Sequence, residues 1–564
     1  MKVLIVGGVA GGASAAARLR RLDEAAEIIL FEKGEYISYA NCGLPYYIGN
    51  VIQKREKLLL QTPEAMRQRF NIDVRIRSEV LSIDRTGKKV LVRDHGSGND
   101  YEENYDKLIL SPGAEPRRAA IDGMDLPGVF TLRTIPDTYR ICDFIDQKKP
   151  ARAVVVGAGF IGVEMAENLL ERGLEVTLVE FTDQVVVSLD MDMATFLHHH
   201  LRMKGIELIL RKGAAGFSSR PDGSLLVRLT DGSAINTDLV IFSIGVAPDS
   251  RLAGDAGLEL GLNNSIKVDR HMRTSDPDIY AVGDAVEVQN LVTGRPCLIP
   301  LAGPANKQGR VAADHAAGRD SIFDGVQGSA VLKVFDMTAA STGLNEKQLK
   351  FDKIRYAKTY IHPLDHADYY PGATQIAMKL LFDPEDGKIL GAQAVGFQGV
   401  EKRIDVIATA QRLGATVMDL EKLELTYAPP YSSAKDPVNM LGFTAVNIMR
   451  GDVAVFHYHD VADLDPNRDL LVDVRSKEES LPGSIAGAVH IPLEELRDRL
   501  DELPRDRRIY LFCRVGRRSY FAARILEQNG FTEVFSLSGG YELYSSVVLD
   551  QATGKPCLSR EEQQ

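Results

Sequence analysis

The sequence predicts an α/β fold, and three observations carry that prediction. Two strand–glycine-loop–helix units begin at Lys2 and Ala153. Alternating apolar residues in Ala330–Phe335 and Gln375–Phe382 predict strands of a mixed sheet. A late buried strand, Arg508–Phe512, runs through an arginine-rich loop into another helix.

The first unit, Lys2-Val-Leu-Ile-Val-Gly-Gly-Val-Ala-Gly-Gly-Ala13, has the order a dinucleotide-binding unit needs. Gly7 makes the turn, Gly11 and Gly12 permit close packing, and the helix N-terminus meets a pyrophosphate. Val9 stands where the usual motif has its middle glycine. Glu32 ends the next strand, where a carboxylate holds an adenosine ribose.

Next comes Ile37-Ser-Tyr-Ala-Asn-Cys-Gly-Leu-Pro-Tyr-Tyr47. Gly43 lets the backbone turn or a planar ligand approach, and Pro45 limits the exit. Ser38, Asn41 and the tyrosines form a polar setting that favours a thiolate at Cys42. No CxxC or CxxxxC partner lies near it, so a redox-active Cys42 takes its disulfide partner from a substrate.

The second unit is complete, with Gly157, Gly159 and Gly162 at the three positions. Glu180 closes the following strand and, by repelling a 2′-phosphate, favours NADH over NADPH. Two dinucleotide motifs imply two dinucleotides, and hydride passing between a nicotinamide and a flavin is the natural pairing. Leu108–Ala114 and Ile241–Pro248 read as strands running into tight turns. Thr274–Ala285 ends a strand at Gly283-Asp284, whose carboxylate suits a sugar-like hydroxyl chain.

The 564 residues predict about three or four domains, and 45% apolar content is enough for several cores. A net charge of −11 argues against a nucleic-acid or anionic-membrane surface. Five irregularly spaced cysteines argue for a reducing compartment. With no signal peptide and no apolar run of roughly 18 residues, a soluble cytoplasmic protein is expected.

These stretches resemble the two-dinucleotide flavoprotein disulfide reductases over residues 1 to about 445. Asn41-Cys42-Gly43 resembles the single-cysteine branch: coenzyme A-disulfide reductases, NADH oxidases and NADH peroxidases. The resemblance implies FAD at Gly7, Ala10, Gly11, Glu32, Lys33 and Asn41, then at Ser111, Gly113, Asp284 and Ala302. It implies NADH at Gly157, Gly159, Ile161, Gly162, Glu180 and Gly245. Pro300–Arg310 matches a stretch packed near the flavin. Residues from about 331 to 445 resemble the family's dimerisation domain, which implies a homodimer. By position, Tyr427 takes the role of the tyrosine that reaches the partner subunit's cysteine, with Tyr369 or Tyr370 beside it. Arg18 and Arg21, three apart, share a helix face. That face is either a solvated stripe or, as the family implies, a phosphate site for coenzyme A together with Ser38 and Asn41.

Metal binding is not expected. His198-His-His200 face different sides of a helix, Pro363 disturbs the His362–His366 spacing, and His457 and His459 lie in a linker.

After residue 450 the pattern restarts. Asp452–Asp469 reads as a polar tether, and Leu470–Arg475 as a strand. Cys513 sits at a strand end before a helix N-terminus, with Arg514, Arg517 and Arg518 favouring a thiolate or anionic persulfide. The Cys-x-x-Gly-x-Arg-Ser loop resembles the rhodaneses, which implies that Cys513 carries sulfane sulfur in an arginine cradle. Cys142, Cys297 and Cys557 receive no role.

The expected architecture is two Rossmann-like dinucleotide-binding domains, an α+β dimerisation domain and a C-terminal α/β rhodanese domain. Its boundaries are 1–150 and 263–330 for FAD, 151–262 for NAD, 331–448 for dimerisation, 449–466 for the linker and 467–564 for the rhodanese. The expected activity is NADH-dependent reduction of coenzyme A persulfide, coenzyme A disulfide or polysulfide through Cys42. Two alternatives stay open: an NADH oxidase or peroxidase cycling a Cys42 sulfenic acid, and a redox sensor with a regulatory rhodanese module.

Overall fold

The computed structural model describes residues 1–117 and 119–553, so Cys557 lies outside the described residues. The chain divides into two compact units: 1–181 with 212–326, and 182–211 with the chain from 327 onwards.

In the first unit a five-stranded parallel sheet runs in the order Ile279–Ala281, Lys107–Leu110, Lys2–Val6, Glu27–Phe31, Asp73–Arg75. Its central strands are near-continuous apolar runs because both faces are covered. Helix Ala10–Leu22 lies so close that a Cβ on Gly12 would fall 1.9 Å from the Gly7 carbonyl oxygen. Helix Ala302–Ala316 packs on it backbone to backbone, since a Cβ on Gly309 would fall 2.3 Å from the Gly11 oxygen. A second parallel sheet pairs Glu175–Val179, Arg152–Val156, Leu239–Phe242 and Val129–Phe130. It repeats the device: a Cβ on Gly162 would fall 1.8 Å from the Gly157 oxygen.

The second unit holds an antiparallel sheet, Ala330–Val334, Met337–Gly343, Ile389–Gly396, Ile376–Phe382 and Ala357–Ile361 in order. Both expected strands are present, but every residue of Ile376–Phe382 is buried. Lys379, on the nominally polar face, is 0% exposed and reaches Asp192 at 2.8 Å, Asp190 at 2.9 Å and Glu346. Glu346 also holds Lys358 at 3.0 Å. Helices Val400–Arg412 and Pro437–Arg450 supply the apolar side of this layer.

The same unit carries a parallel sheet in the order Ala454–Phe456, Val534–Leu537, Arg508–Phe512, Asp469–Asp473, Val489–His490. The stretch expected as a linker is therefore built into the fold. Ala454–Phe456 pairs with Val534–Leu537, and Tyr458–Asp463 forms a 3-10 helix. Its composition is polar because these residues bind charged neighbours: the His459 ring lies 3.3 Å from the Lys358 ammonium. The three consecutive histidines of helix Met191–Met203 are all buried. The His198 ring accepts from the Val185 N–H at 3.1 Å and pairs with Asp550 at 3.1 Å. His199 donates to the Ser546 carbonyl at 3.2 Å, and His200 pairs with Asp336 at 2.9 Å. No helix among the described residues is long and apolar enough to cross a membrane.

Candidate active site: two nucleotide cradles and two cysteine centres

Helix Ala10–Leu22 starts at Val9 with no side-chain cap and no acidic residue in its first turn, leaving its amides to an anion. Val9 has φ −98°, so this position makes no demand for glycine. The Glu32 carboxylate is fixed by the Gly8 N–H at 3.0 Å and the Gly34 N–H at 2.9 Å. Ser111 Oγ accepts from the Gly12 N–H at 3.1 Å, which locks the strand-end loop onto the helix. Gly113 (φ +77°) turns this loop beside Arg133. Asp284 has no hydrogen-bond partner among the described residues, and burial raises its carboxyl above the ordinary range. A partly buried, unpartnered carboxylate at a strand end suits the hydroxyl chain of a flavin dinucleotide. Lys33 pairs with Glu115 at 3.1 Å and Asp249 at 3.5 Å. Ala302 opens its helix without a side-chain cap.

The second cradle is built alike. Helix Phe160–Glu171 starts at Gly159, uncapped and without acid in its first turn. A Cβ on Gly159 or Gly245 would meet nothing within 4 Å, so a ligand has room against the backbone. Glu180 accepts the Ala158 N–H at 2.7 Å, and Ile161 is exposed in the first turn. Both cradles fit a dinucleotide.

Cys42 lies in the short 3-10 turn Asn41–Gly43, which continues into helix Leu44–Ile48. It is exposed and unpaired. Its thiol is pushed above the ordinary value by burial of its surroundings, then by Glu164 and Asp284. This corrects the expectation of a thiolate-favouring setting: the neighbours are polar, but the charges that act on the thiol are carboxylates. Four residues on, the Tyr46 hydroxyl donates to Glu164 Oε1 at 3.2 Å. Ser38 sits at φ +43°, held by its N–H to the Gly8 oxygen at 2.8 Å.

A cavity of about 350 Å³ gathers Arg18, Arg21 and Ser38 with Gln61, Asn306 and Arg310. Arg18 and Arg21 thus line one concave site rather than a solvated stripe, though Arg18 spends its charge on Asp314 at 2.6 Å. Asn41 is not among its lining residues. Sequence reasoning missed Gln61, Asn306 and Arg310. The signal was there for the last two: Asn306 and Arg310 are i, i+4 on a helix whose Gly309 had to meet Gly11.

In the second unit, the hydroxyls of Tyr369 and Tyr427 are 2.6 Å apart, both exposed. Tyr370 instead packs its ring on His366. Arg403 holds the two tyrosine segments together from beneath. It donates to the Asp365 carbonyl at 2.7 Å and the Tyr431 carbonyl at 3.3 Å, with Asp436 at 3.5 Å. Asp365 in turn takes the His366 ring at 2.6 Å.

Cys513 is 1% exposed and accepts the Gly516 N–H at 3.2 Å. Gly516 takes φ +94° and opens helix Arg517–Gln528 without a side-chain cap. Two further bonds seat the loop: Tyr541 N–H to the Cys513 oxygen at 2.8 Å and Glu542 N–H to the Arg514 oxygen at 2.9 Å. The three loop arginines differ in their partners. Arg514 pairs with Glu542 at 2.9 Å and Arg518 with Glu479 at 2.6 Å, while Arg517 is exposed. The Gly516 amide at the helix start faces the sulfur, and the Arg518 charge also acts on Cys513.

A family model described as pyridine nucleotide-disulphide oxidoreductase matches residues 1–309. The chain belongs to this family. The family's dimerisation-domain model matches 329–437, and a rhodanese-like domain matches 459–546. The coenzyme A disulfide reductase of Staphylococcus haemolyticus is 38% identical over 446 residues, 79% of this chain and 99% of that protein. The crystal structure of reduced Bacillus anthracis CoADR-RHD is 51% identical, with TM-score 0.95, over 97% of this chain and 98% of that one. A NAD-dependent persulfide reductase from A. fulgidus is 39% identical, with TM-score 0.90, over 96% and 100%.

This oxidoreductase therefore combines a flavoprotein reductase body with a rhodanese domain, and its cofactors are FAD and NADH. When bound, these groups would supply hydride and electron-transfer chemistry. The residues that would hold these groups are the two uncapped helix termini, the carboxylates Glu32 and Glu180, fixed by loop amides, and Asp284.

Proposed function

We propose that this oxidoreductase uses NADH to reduce coenzyme A persulfide, coenzyme A disulfide or polysulfide at Cys42, while Cys513 handles sulfane sulfur. The carrying observation is that Cys42 has no cysteine partner. It is a free thiol among the described residues, as are Cys142, Cys297 and Cys513. Electrons leaving the cofactors for sulfur then need a substrate sulfur bonded to Cys42. The arginine-lined cavity beside Ser38 suits the phosphates of coenzyme A. An intact Cys513 loop on the same chain favours sulfane-sulfur chemistry over peroxide reduction.

In this reading the Cys42 thiolate attacks the inner sulfur of a coenzyme A persulfide. The S–S bond breaks, HS⁻ leaves, and a Cys42–coenzyme A disulfide forms. Two electrons then split that disulfide into two thiolates. Tyr427 of one subunit serves Cys42 of the other by donating a hydrogen bond to the departing thiolate. The Tyr369 hydroxyl, sharing a hydrogen bond with it, polarises that donor.

The test is NADH-dependent sulfide release from coenzyme A persulfide. Cys42→Ser retains FAD and loses release by more than about 1000-fold. Sulfide release by Cys42→Ser near the wild-type rate overturns the reading. Fast peroxide consumption without sulfide release replaces it with a peroxidase.

A further inference from the structure

The ion pairs beside Cys513 are anchored at more than one point. Arg514 Nε donates to Glu542 Oε2 at 2.9 Å, and the Glu542 N–H donates back to the Arg514 carbonyl at 2.9 Å. Arg518 grips Glu479 as a fork, at 2.8 Å to Oε1 and 2.6 Å to Oε2. Glu479 is itself held twice. Its carboxylate accepts the Ser476 N–H at 3.2 Å in the capping box of helix Lys477–Ser480. Its carbonyl accepts from Arg475 at 2.9 Å. Arg475 is 3% exposed and pairs with Asp473 at 2.6 Å. Its guanidinium lies 4.2 Å from the ring centre of Tyr541, the residue whose N–H holds the Cys513 carbonyl. One buried guanidinium thus fixes Glu479 and braces the Cys513 loop together.

The charge of the site follows from this arrangement. Two loop arginines each meet a glutamate, and the third, Arg517, is exposed, where water and salt screen it. Arg518 still acts on Cys513, but Glu479 opposes its charge at contact distance. Little net positive charge is left for an incoming anion. The flanks are apolar instead. Leu481, two residues past Glu479, is 83% exposed. Phe521, three past Arg518 and so on its helix face, is 46% exposed.

We propose that Glu479 and Glu542 are specificity-determining residues, which make Cys513 take sulfur from organic persulfides and reject thiosulfate. The inference rests on the reading that Cys513 handles sulfane sulfur, and it names the donor class. In the favoured step the Cys513 thiolate attacks the outer sulfur of R–S–SH. The donor's S–S bond breaks, R–S⁻ leaves, and Cys513–S–SH forms with the proton still on the transferred sulfur. A single negative charge is present before and after. With thiosulfate the same attack expels sulfite as a dianion and leaves Cys513–S–S⁻, so three negative charges crowd one site. Cys513 is 1% exposed, so these charges must lose water as they approach. Only unpaired cations could offset that cost, and the two glutamates occupy them. The carbon body of an organic donor instead has Leu481 and Phe521 to lie against.

The test loads sulfur onto Cys513 in the full-length holoenzyme without NADH. Peptide mass follows the gain of one sulfur atom at Cys513 from 2-hydroxyethyl persulfide and from thiosulfate, at matched concentration and pH. Wild type is expected to load from the persulfide faster by more than about 100-fold. Glu479→Gln and Glu542→Gln keep side-chain size and release Arg518 and Arg514. Each is expected to raise thiosulfate loading by about tenfold or more while persulfide loading stays within about threefold. Wild-type loading from thiosulfate within about threefold of that from persulfide overturns the proposal, and needs no variant to fold. Thiosulfate loading unchanged in both variants overturns it as well. Loading from neither donor removes this inference together with the sulfane-sulfur role of Cys513, whereas equal loading from both removes this inference alone.

Discussion

Glu180 shows what one residue decides. The Ala158 N–H holds its carboxylate at the mouth of the second glycine turn, where both ribose hydroxyls of NADH would meet an acceptor. A 2′-phosphate at that place would put like charges within a few ångströms, which costs a few kcal/mol in a partly screened site. NADH is expected to exceed NADPH in kcat/KM by more than about tenfold, with the gap narrowing in Glu180→Ala. Equal efficiencies in wild type would refute it. Single residues were also the easiest features to read in the sequence. Glu32, Glu180, Asp284, Cys42 and Cys513 each sit beside a glycine turn or strand end that the sequence marks. Their electrostatic partners were not legible, because Glu164 lies 122 positions beyond Cys42 and Glu542 lies 28 beyond Arg514.

At the scale of elements, the tyrosine pair depends on Arg403. Two loops distant in sequence reach hydroxyl contact because one buried guanidinium binds a carbonyl from each. Removing it takes a guanidinium donor from both carbonyls and a charge partner from Asp436, which keeps the Ser432 hydroxyl and the Val438 N–H. Arg403→Ala is expected to cost about 3–5 kcal/mol and to lower Tm, with the loss of activity following the loss of the Tyr369–Tyr427 contact. A Tm within a degree of wild type would show that the loops hold themselves. The sequence placed helix and strands here through apolar periodicity. It gave no sign of Arg403, since a charged residue on a helical pattern reads as surface.

For the molecule as a whole, the second unit is held by buried polar contacts between segments far apart in the chain. His198 and His199 bind helix Gly540–Thr553, and the Tyr360 N–H donates to Ser538 Oγ at 3.2 Å. Burial lowers the pKa of His198 and His199, and that of His457 to about 3. The unfolded chain therefore takes up protons below about pH 6.5 that the folded one refuses. Stability is full above that pH and falls on acidification. Each such histidine contributes a slope of about 1.4 kcal/mol per pH unit until its folded pKa is reached. Tm should drop by several degrees between pH 7 and pH 5, and less so in His457→Asn; a flat profile would contradict the burial argument. Glu346 and Asp550, whose pKa values are depressed, add a second loss below about pH 4.5.

The sulfur-handling division of labour belongs to this scale too. Cys513→Ser is expected to keep NADH-dependent sulfide release from small persulfides within about twofold, and to lose most release from bulky or rhodanese-type donors. Equal loss from both makes Cys513 an obligatory relay, and loss of neither removes it from the path. The point variant is the proper probe. Cutting the chain near residue 445 would strip Asp550 and Ser546 from His198, His199 and Thr195, exposing a polar interface.

The sequence by itself determined the order of domains and marked the two glycine turns, their strand-ending carboxylates and the loops that carry Cys42 and Cys513. Their signals are local: glycine spacing, strand-ending carboxylates, and a cysteine before a helix start, each set by backbone geometry within about a dozen residues. Tertiary structure alone decided which charges meet. It turned the expected tether into a strand of the last sheet, matched two of the three cradle arginines with glutamates, and buried Lys379 among three carboxylates. It also brought Arg310 to the cavity of Arg18 and Arg21, and Glu164 to Tyr46. The reason is physical. A buried charge must find its partner in space, and sequence separation places no limit on where that partner comes from.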